Sequence, residues 1–254
     1  MIVAFIRLHD SKISKILWPL TCEGTDAVGS SSHTPHALMW PRIADATPPL
    51  LFFFCNFARE METRGRICIF GASSSRIERT YVDAAYELGT LMARHGWSCI
   101  NGAGSQGLMR AVSDGVLDAG GTVTGVIPKF MVDNGWNYDR LTHTILTADM
   151  HERKQRMAHM ADAFIALPGG CGTIEELMEV FTWRQLGLIA KPIALLNTIG
   201  FWTPLVDMVE RCVKQGFMKA SHERLWHVAE TPQQVLQELE HEIETGIVPA
   251  ESKY

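Results

Sequence analysis

The chain has 254 residues, 46% hydrophobic and 20% charged, which supplies a full core for one larger domain and excludes disorder, a collagen repeat and a disulfide-stapled miniprotein. A formal net charge of −5 argues against a broad basic surface for nucleic acid or anionic membrane but leaves room for a local phosphate pocket, so a small molecule is the expected partner. The six cysteines stand far apart without CxxC pairing or zinc spacing, and read as reduced, cytoplasmic thiols.

The first 60 residues hold five of the 11 prolines and five of the 11 phenylalanines, yet only Gly24 and Gly29 of the 21 glycines; no helical or strand period persists through them. MIVAFIR is too short for a signal-peptide core and has no small-residue cleavage pattern behind it. LLFFFCNFA (50–58) has about half the length that a membrane helix needs and is bracketed by Pro48, Pro49 and Arg59. At Met61 the pattern changes to METRGRICIFGASSS, a charged start followed by a strand and a glycine turn. The expectation is a poorly ordered extension over 1–60 and a single domain over 61–254, with Met61 as the functional start.

From there strands are predicted at 66–71, 97–101, 122–127, 163–167, 193–196 and 225–228, alternating with helices at 81–94, 105–119, 149–161, 174–186, 204–215 and 232–245. Short strands separated by longer helices predict an α/β fold: a Rossmann-like, doubly wound parallel sheet with helices on both faces. Ligands of such sheets sit beyond the carboxyl ends of the strands, so the loops that follow strands carry the chemistry.

Three of those loops are glycine-rich. Gly71-Ala72-Ser73-Ser74-Ser75 offers backbone amides to an anion, or is only a tight turn. Asn101-Gly102-Ala103-Gly104-Ser105-Gln106-Gly107 matches GxGxxG at Gly102, Gly104 and Gly107 and opens a helix. It lies on the second βα unit, and no acidic residue ends the following strand, which argues against a dinucleotide and leaves phosphate binding at a helix N-terminus. The third loop, Pro168-Gly169-Gly170-Cys171-Gly172-Thr173-Ile174-Glu175-Glu176, is the strongest signal. Its glycines permit close backbone approach, and the helix beginning here aims unpaired N–H groups and a positive dipole at an anion. Thr173 and Glu176 also fit the Thr-x-x-Glu pattern of a capping box, in which both side chains serve only the helix end. Cys171 has no histidine placed by sequence to activate it and reads as filler rather than a nucleophile. Upstream, Asp149-Met150-His151-Glu152-Arg153-Lys154 begins a helix. Such a run is usually a solvated face and lacks the two-histidine spacing of a metalloprotease, but the expected winding brings Arg153 and Lys154 to the crevice of Glu176.

DMHERK, NGAGSQGLM and PGGCGTIEELMEVFTW, in this order and spacing, resemble the LONELY GUY family of cytokinin riboside 5′-monophosphate phosphoribohydrolases over about residues 66–239. The family pattern PGGxGTxxE is met by Pro168, Gly169, Gly170, Gly172, Thr173 and Glu176. The resemblance implies that Arg153 and Glu176 carry catalysis. It implies that Lys154, Gly170, Cys171, Gly172, Thr173, Ile174, Glu175 and Thr182 hold the nucleotide, with Gly102, Gly104, Gly107 and Gly169 shaping the loops for the 5′-phosphate. It implies no cofactor and no metal, and a homodimer or higher homo-oligomer. Two departures stand out: Asn-Gly-Ala-Gly replaces a run of glycines in the second loop, and 130–143 does not follow the usual sequence in a region that the family uses near its ligand. An older family label, lysine decarboxylase, finds no recognisable pyridoxal-phosphate lysine environment here.

The implied reaction is hydrolysis of the N-glycosidic bond of a nucleoside 5′-monophosphate, AMP or an N6-substituted AMP, to a free base and ribose 5-phosphate. Positive charge develops on the ribose in such a cleavage, and a carboxylate beside the sugar stabilises it and orients or deprotonates the attacking water. The alternative from another class is a non-catalytic nucleotide or cofactor carrier on the same fold, similar to molybdenum-cofactor carriers, which would keep the phosphate loops without needing Arg153 and Glu176.

Overall fold

The computed structural model describes residues 63–246; the expected extension over 1–60 lies outside the described residues. Seven strands, β1 (Gly65–Phe70), β2 (Trp97–Asn101), β3 (Val123–Pro128), β4 (His143–Thr147), β5 (Ala163–Ala166), β6 (Ile193–Leu196) and β7 (His227–Ala229), form one sheet in the order β4-β3-β2-β1-β5-β6-β7. Every neighbouring pair is parallel. The connecting helices are α1 (Arg79–Arg94), α2 (Gly107–Asp118), the short α3 (Lys129–Asp133), α4 (Met150–Met160), α5 (Cys171–Gln185), α6 (Thr203–Lys214) and α7 (Pro232–Thr245).

The central strands are unbroken apolar runs because helices cover both faces. Every residue of β5 (AFIA) and β6 (IALL) is buried. On one face Ile67 and Ile69 of β1 pack against α1, α2 and α7 through Leu88, Met92, Val112, Val116, Leu236 and Leu239; on the other Cys68 and Phe70 meet Met157 of α4 and Leu177 and Phe181 of α5. The helices fit because their apolar residues recur once per turn: Ala85, Leu88, Gly89 and Met92 make the buried stripe of α1.

The expected α/β architecture is the one observed. The alternating pattern does not reveal β4, since it pairs only with β3 at the sheet edge and its first four residues are exposed or half-buried. Helix α5 begins at Cys171, three residues before the expected start at 174, so the glycine loop turns directly into the helix. The chain leaves β1 toward β2 and leaves β5 toward β6, in opposite directions along the sheet. These two strands are adjacent, and their diverging loops open a crevice at their carboxyl ends.

Candidate active site

All three glycine loops meet in that crevice, a cleft of about 660 Å³ lined by Ser73, Ser74, Gly102, Gly104, Arg153, Gly170, Gly172, Thr173, Glu175 and Glu176 among others. The backbone of Ala72 ties the loops together. Its N–H donates to Pro168 O at 3.1 Å, and its carbonyl accepts from Leu108 N at 2.8 Å and Met109 N at 3.3 Å. Gly107 makes this junction possible: its φ is +65°, and a Cβ there would fall 2.6 Å from Ala72 O and 2.7 Å from Ser74 O. The start of α2 is therefore capped by loop backbone rather than left open to a ligand. That narrows the sequence expectation of an anion at two helix starts, because α5 alone keeps a bare first turn.

At α5 the N-cap is Gly170, with no side-chain cap. The capping-box reading of Thr173 and Glu176 fails: Thr173 lies three residues into the helix and is buried against Gly169, where a Cβ would sit 2.1 Å from Thr173 Oγ1. A Cβ at Gly170 or Gly172 would meet nothing within 4 Å. Neither glycine is needed to pack the protein; both leave the amides and positive end of α5 accessible from the cleft.

Arg153 lies on α4 just after its N-cap Asp149, whose side chain accepts from Glu152 N at 2.9 Å. Arg153 is only 6% exposed, despite standing in a charged run. Its Nε donates to Val126 O at 3.1 Å, its Nη1 to Met150 Sδ at 3.5 Å, and its Nη2 stands 3.6 Å from Glu176 Oε1. The guanidinium rests on Gly102, where a Cβ would fall 1.8 Å from Nη2. Burial pushes the Glu176 carboxyl above the ordinary carboxylate range, opposed in second place by Arg153. The result is a desolvated carboxylate held by one cation at the wall of an open cleft, an arrangement suited to stabilising a developing positive charge or taking a proton from water.

The remaining sequence candidates divide. Gly102, Gly104, Gly170, Gly172, Thr173 and Glu175 line the cleft; Gly107 and Gly169 shape it from behind. Lys154 is committed elsewhere: its Nζ bonds Glu175 and lies 3.2 Å from Glu179 Oε2, tying α4 to α5, and the bond to Glu175 raises its pKa. Cys171 and Ile174 are exposed at the start of α5 outside the cleft lining, and Thr182, two turns on, is exposed and donates to Met178 O at 2.7 Å. Among the described residues no group of three or more His, Cys, Asp or Glu is placed to hold a metal ion, and no helix is long and apolar enough to cross a membrane.

Sequence reasoning missed the apolar wall of Met109, Met131, Trp136 and Met150. Met131 and Trp136 come from the divergent 130–143 segment. A polar staple holds that segment to α2: Tyr138 Oη and Arg140 Nη1 (2.7 Å) both donate to Asp114, and Arg140 Nη2 donates to Asp118 at 2.8 Å. The family resemblance pointed to 130–143 as a region near the ligand, but within that stretch no period singled out Met131 or Trp136.

A doubly wound parallel sheet with a bare helix start and a largely buried Arg–Glu pair at its topological switch point defines an α/β protein with a small-molecule crevice at the carboxyl ends of its strands. A family model described as "Possible lysine decarboxylase" matches residues 109–239. A cytokinin riboside 5′-monophosphate phosphoribohydrolase of Arabidopsis thaliana is 42% identical over 176 residues, covering 69% of this chain and 82% of the relative. A probable enzyme of the same name from Oryza sativa subsp. japonica is 41% identical over 175 residues, 69% of this chain and 72% of the relative. The chain belongs to this phosphoribohydrolase family. Among solved structures, the molybdenum cofactor carrier protein of Chlamydomonas reinhardtii superposes with a TM-score of 0.56 at 23% identity, covering 71% of this chain and 98% of that one. The molybdenum cofactor binding protein of Rippkaea orientalis gives 0.54 at 23%, with 70% and 97% covered; these two share the fold.

Proposed function

We propose that this chain hydrolyses the N-glycosidic bond of a nucleoside 5′-monophosphate, releasing the free base and ribose 5-phosphate, as the names of its relatives describe for cytokinin riboside 5′-monophosphates. The observation that carries this reading is the Arg153–Glu176 pair in the same cleft as the uncovered N-terminus of α5. The 5′-phosphate docks on the first-turn amides of α5, which anchors the ribose beside Glu176. As the bond from C1′ to the base nitrogen breaks, its electron pair leaves with the base and positive charge grows on the ribose. The Glu176 carboxylate stabilises that charge and accepts a proton from the water whose oxygen bonds to C1′; passing that proton to the departed base nitrogen completes the free base and restores the carboxylate, while Arg153 opposes the effect of burial on it and fixes its direction. The methionine and tryptophan wall receives the base, AMP and N6-substituted AMP both fitting its apolar character.

A carrier role, the reading from another class, gives the buried Arg153–Glu176 pair no task. In the same proposal the chain acts as a homodimer or higher homo-oligomer, supported by the exposed Ile174, Leu186 and Leu188 on and beyond α5. A reducing cytoplasm suits the free thiols of Cys68, Cys99, Cys171 and Cys212. Incubation with AMP and with an N6-alkylated AMP, followed by chromatography of free base and ribose 5-phosphate, tests the activity. Absence of base release from every nucleoside monophosphate offered overturns it.

A further inference from the structure

Ala103 has a φ of +60° and is 1% exposed, one of two non-glycine residues in the left-handed region among the described residues. An L-residue with a Cβ is uphill there and returns to negative φ unless something holds it. The hold is visible. Asn101, the last residue of β2 and wholly buried, accepts from Ala103 N at 2.9 Å with its side-chain oxygen, and its Nδ2 donates to Ser113 Oγ at 2.8 Å. Ser113 in turn donates to Met109 O at 2.8 Å. Each polar atom of this relay has a partner whose donor or acceptor character matches, and burial keeps the bonds from competing with water. Between Asn101 and Ala103 lies Gly102, the residue on which the Arg153 guanidinium rests. Rotation of the 102–103 peptide would move that seat.

We propose that Asn101, braced by Ser113, is a positioning residue for catalysis: by holding Ala103 left-handed it sets Gly102 as the seat of Arg153 and so fixes the guanidinium against Glu176. The inference rests on the proposed hydrolysis for its kinetic readout. A glycine at 103 adopts positive φ without help, so it relieves the chain of its dependence on Asn101.

The test is a rescue series: Asn101→Ala, Ser113→Ala, and each combined with Ala103→Gly. With the phosphate still anchored at α5, Asn101→Ala is expected to lower kcat about 10- to 100-fold with KM for AMP nearly unchanged, the scale of a misplaced catalytic group. Ser113→Ala has the same effect more weakly, and Ala103→Gly restores kcat in both backgrounds. A readout free of activity is the NMR signal of the Arg153 Nε–H, bonded to Val126 O, which shifts in the single variants and returns with Ala103→Gly. Should Asn101→Ala fail to fold, the Ser113→Ala pair decides the matter by the same measurements. Unchanged kcat and Arg153 signal in a folded single variant, or failure of Ala103→Gly to restore them, overturns the proposal. A wild-type protein without base release, but with the predicted Arg153 shifts and their rescue, would sink the hydrolase reading and leave the positioning role standing.

Discussion

Glu176 is pulled in two directions, and their balance makes opposite predictions for rate and stability. Burial outweighs Arg153, so the carboxyl titrates above the ordinary carboxylate range. A carboxylate that must be ionised to act then gives kcat/KM an acid limb displaced upward, with activity lost as pH falls through the raised pKa. Stability runs the other way. A group whose pKa is raised by folding favours the folded state while protonated, below its unfolded pKa, and loses that contribution as pH rises through the folded value. Above the unfolded carboxyl's pKa, Glu176 is therefore a net cost to the fold. Glu176→Gln should reduce base release by about 100-fold or more while the melting temperature at pH 7 stays equal or rises. A clear fall in melting temperature would mean that the counter-charge to Arg153 outweighs burial. At the neighbouring position, Gly102→Ala puts a methyl where the Arg153 guanidinium now lies. Displacing it is expected to lower kcat by about 100-fold, measured by initial rates on AMP.

At the level of elements, the start of α5 decides how the site meets an anion. Its N-cap is a glycine with open space beside it, so a side chain at 170 disturbs no packing. Aspartate is a better N-cap than glycine by about a few tenths of a kcal/mol, yet its carboxylate would stand at the proposed phosphate site. Gly170→Asp should thus raise or preserve the melting temperature while raising KM for AMP about tenfold or more, a loss of at least ~1.4 kcal/mol of binding. A rise in KM accompanied by unfolding would contradict the open geometry. The same helix shows what the sequence could and could not disclose. Strands such as AFIA and IALL were legible because burial on both faces leaves an apolar run, and the glycine loops were legible because close backbone approach demands glycine. Thr173-x-x-Glu176 misled as a local pattern, since the short path from β5 starts the helix at Cys171 and turns Glu176 to Arg153 instead. HTILT of β4 was hidden because an edge strand keeps no apolar alternation, and the Met131–Trp136 wall because tertiary bonds to Asp114 and Asp118, rather than periodicity, place it. Arg153 could be located from the winding of the sheet; its seat on Gly102 depends on contact between α4 and the loop after β2, which no local pattern encodes.

For the whole molecule, the site follows from strand order. With β1 and β5 adjacent and their connections diverging, the loops after β1, β2 and β5 converge, and the cleft between them is walled by loop backbone on one side and by methionines and Trp136 on the other. On the proposed function adenosine lacks the group that docks at the α5 start, so its hydrolysis should fall in turnover as well as affinity relative to AMP; comparable rates would remove the phosphate from the mechanism. The same topology argues for where the active unit starts. β1 is the central strand, paired on both sides, and its faces are closed by α1, α2 and α7 and by α4 and α5, all drawn from residues 63–246. We therefore propose that a chain beginning at Met61 folds and releases base from AMP at a rate within about twofold of the full chain, since β1 and the helices named on both of its faces lie downstream of that residue. Matched initial rates and thermal melts of the two chains test this. Insoluble or inactive protein from Met61 onward would place part of the first 60 residues in the structural core and refute the single-domain reading of 61–254.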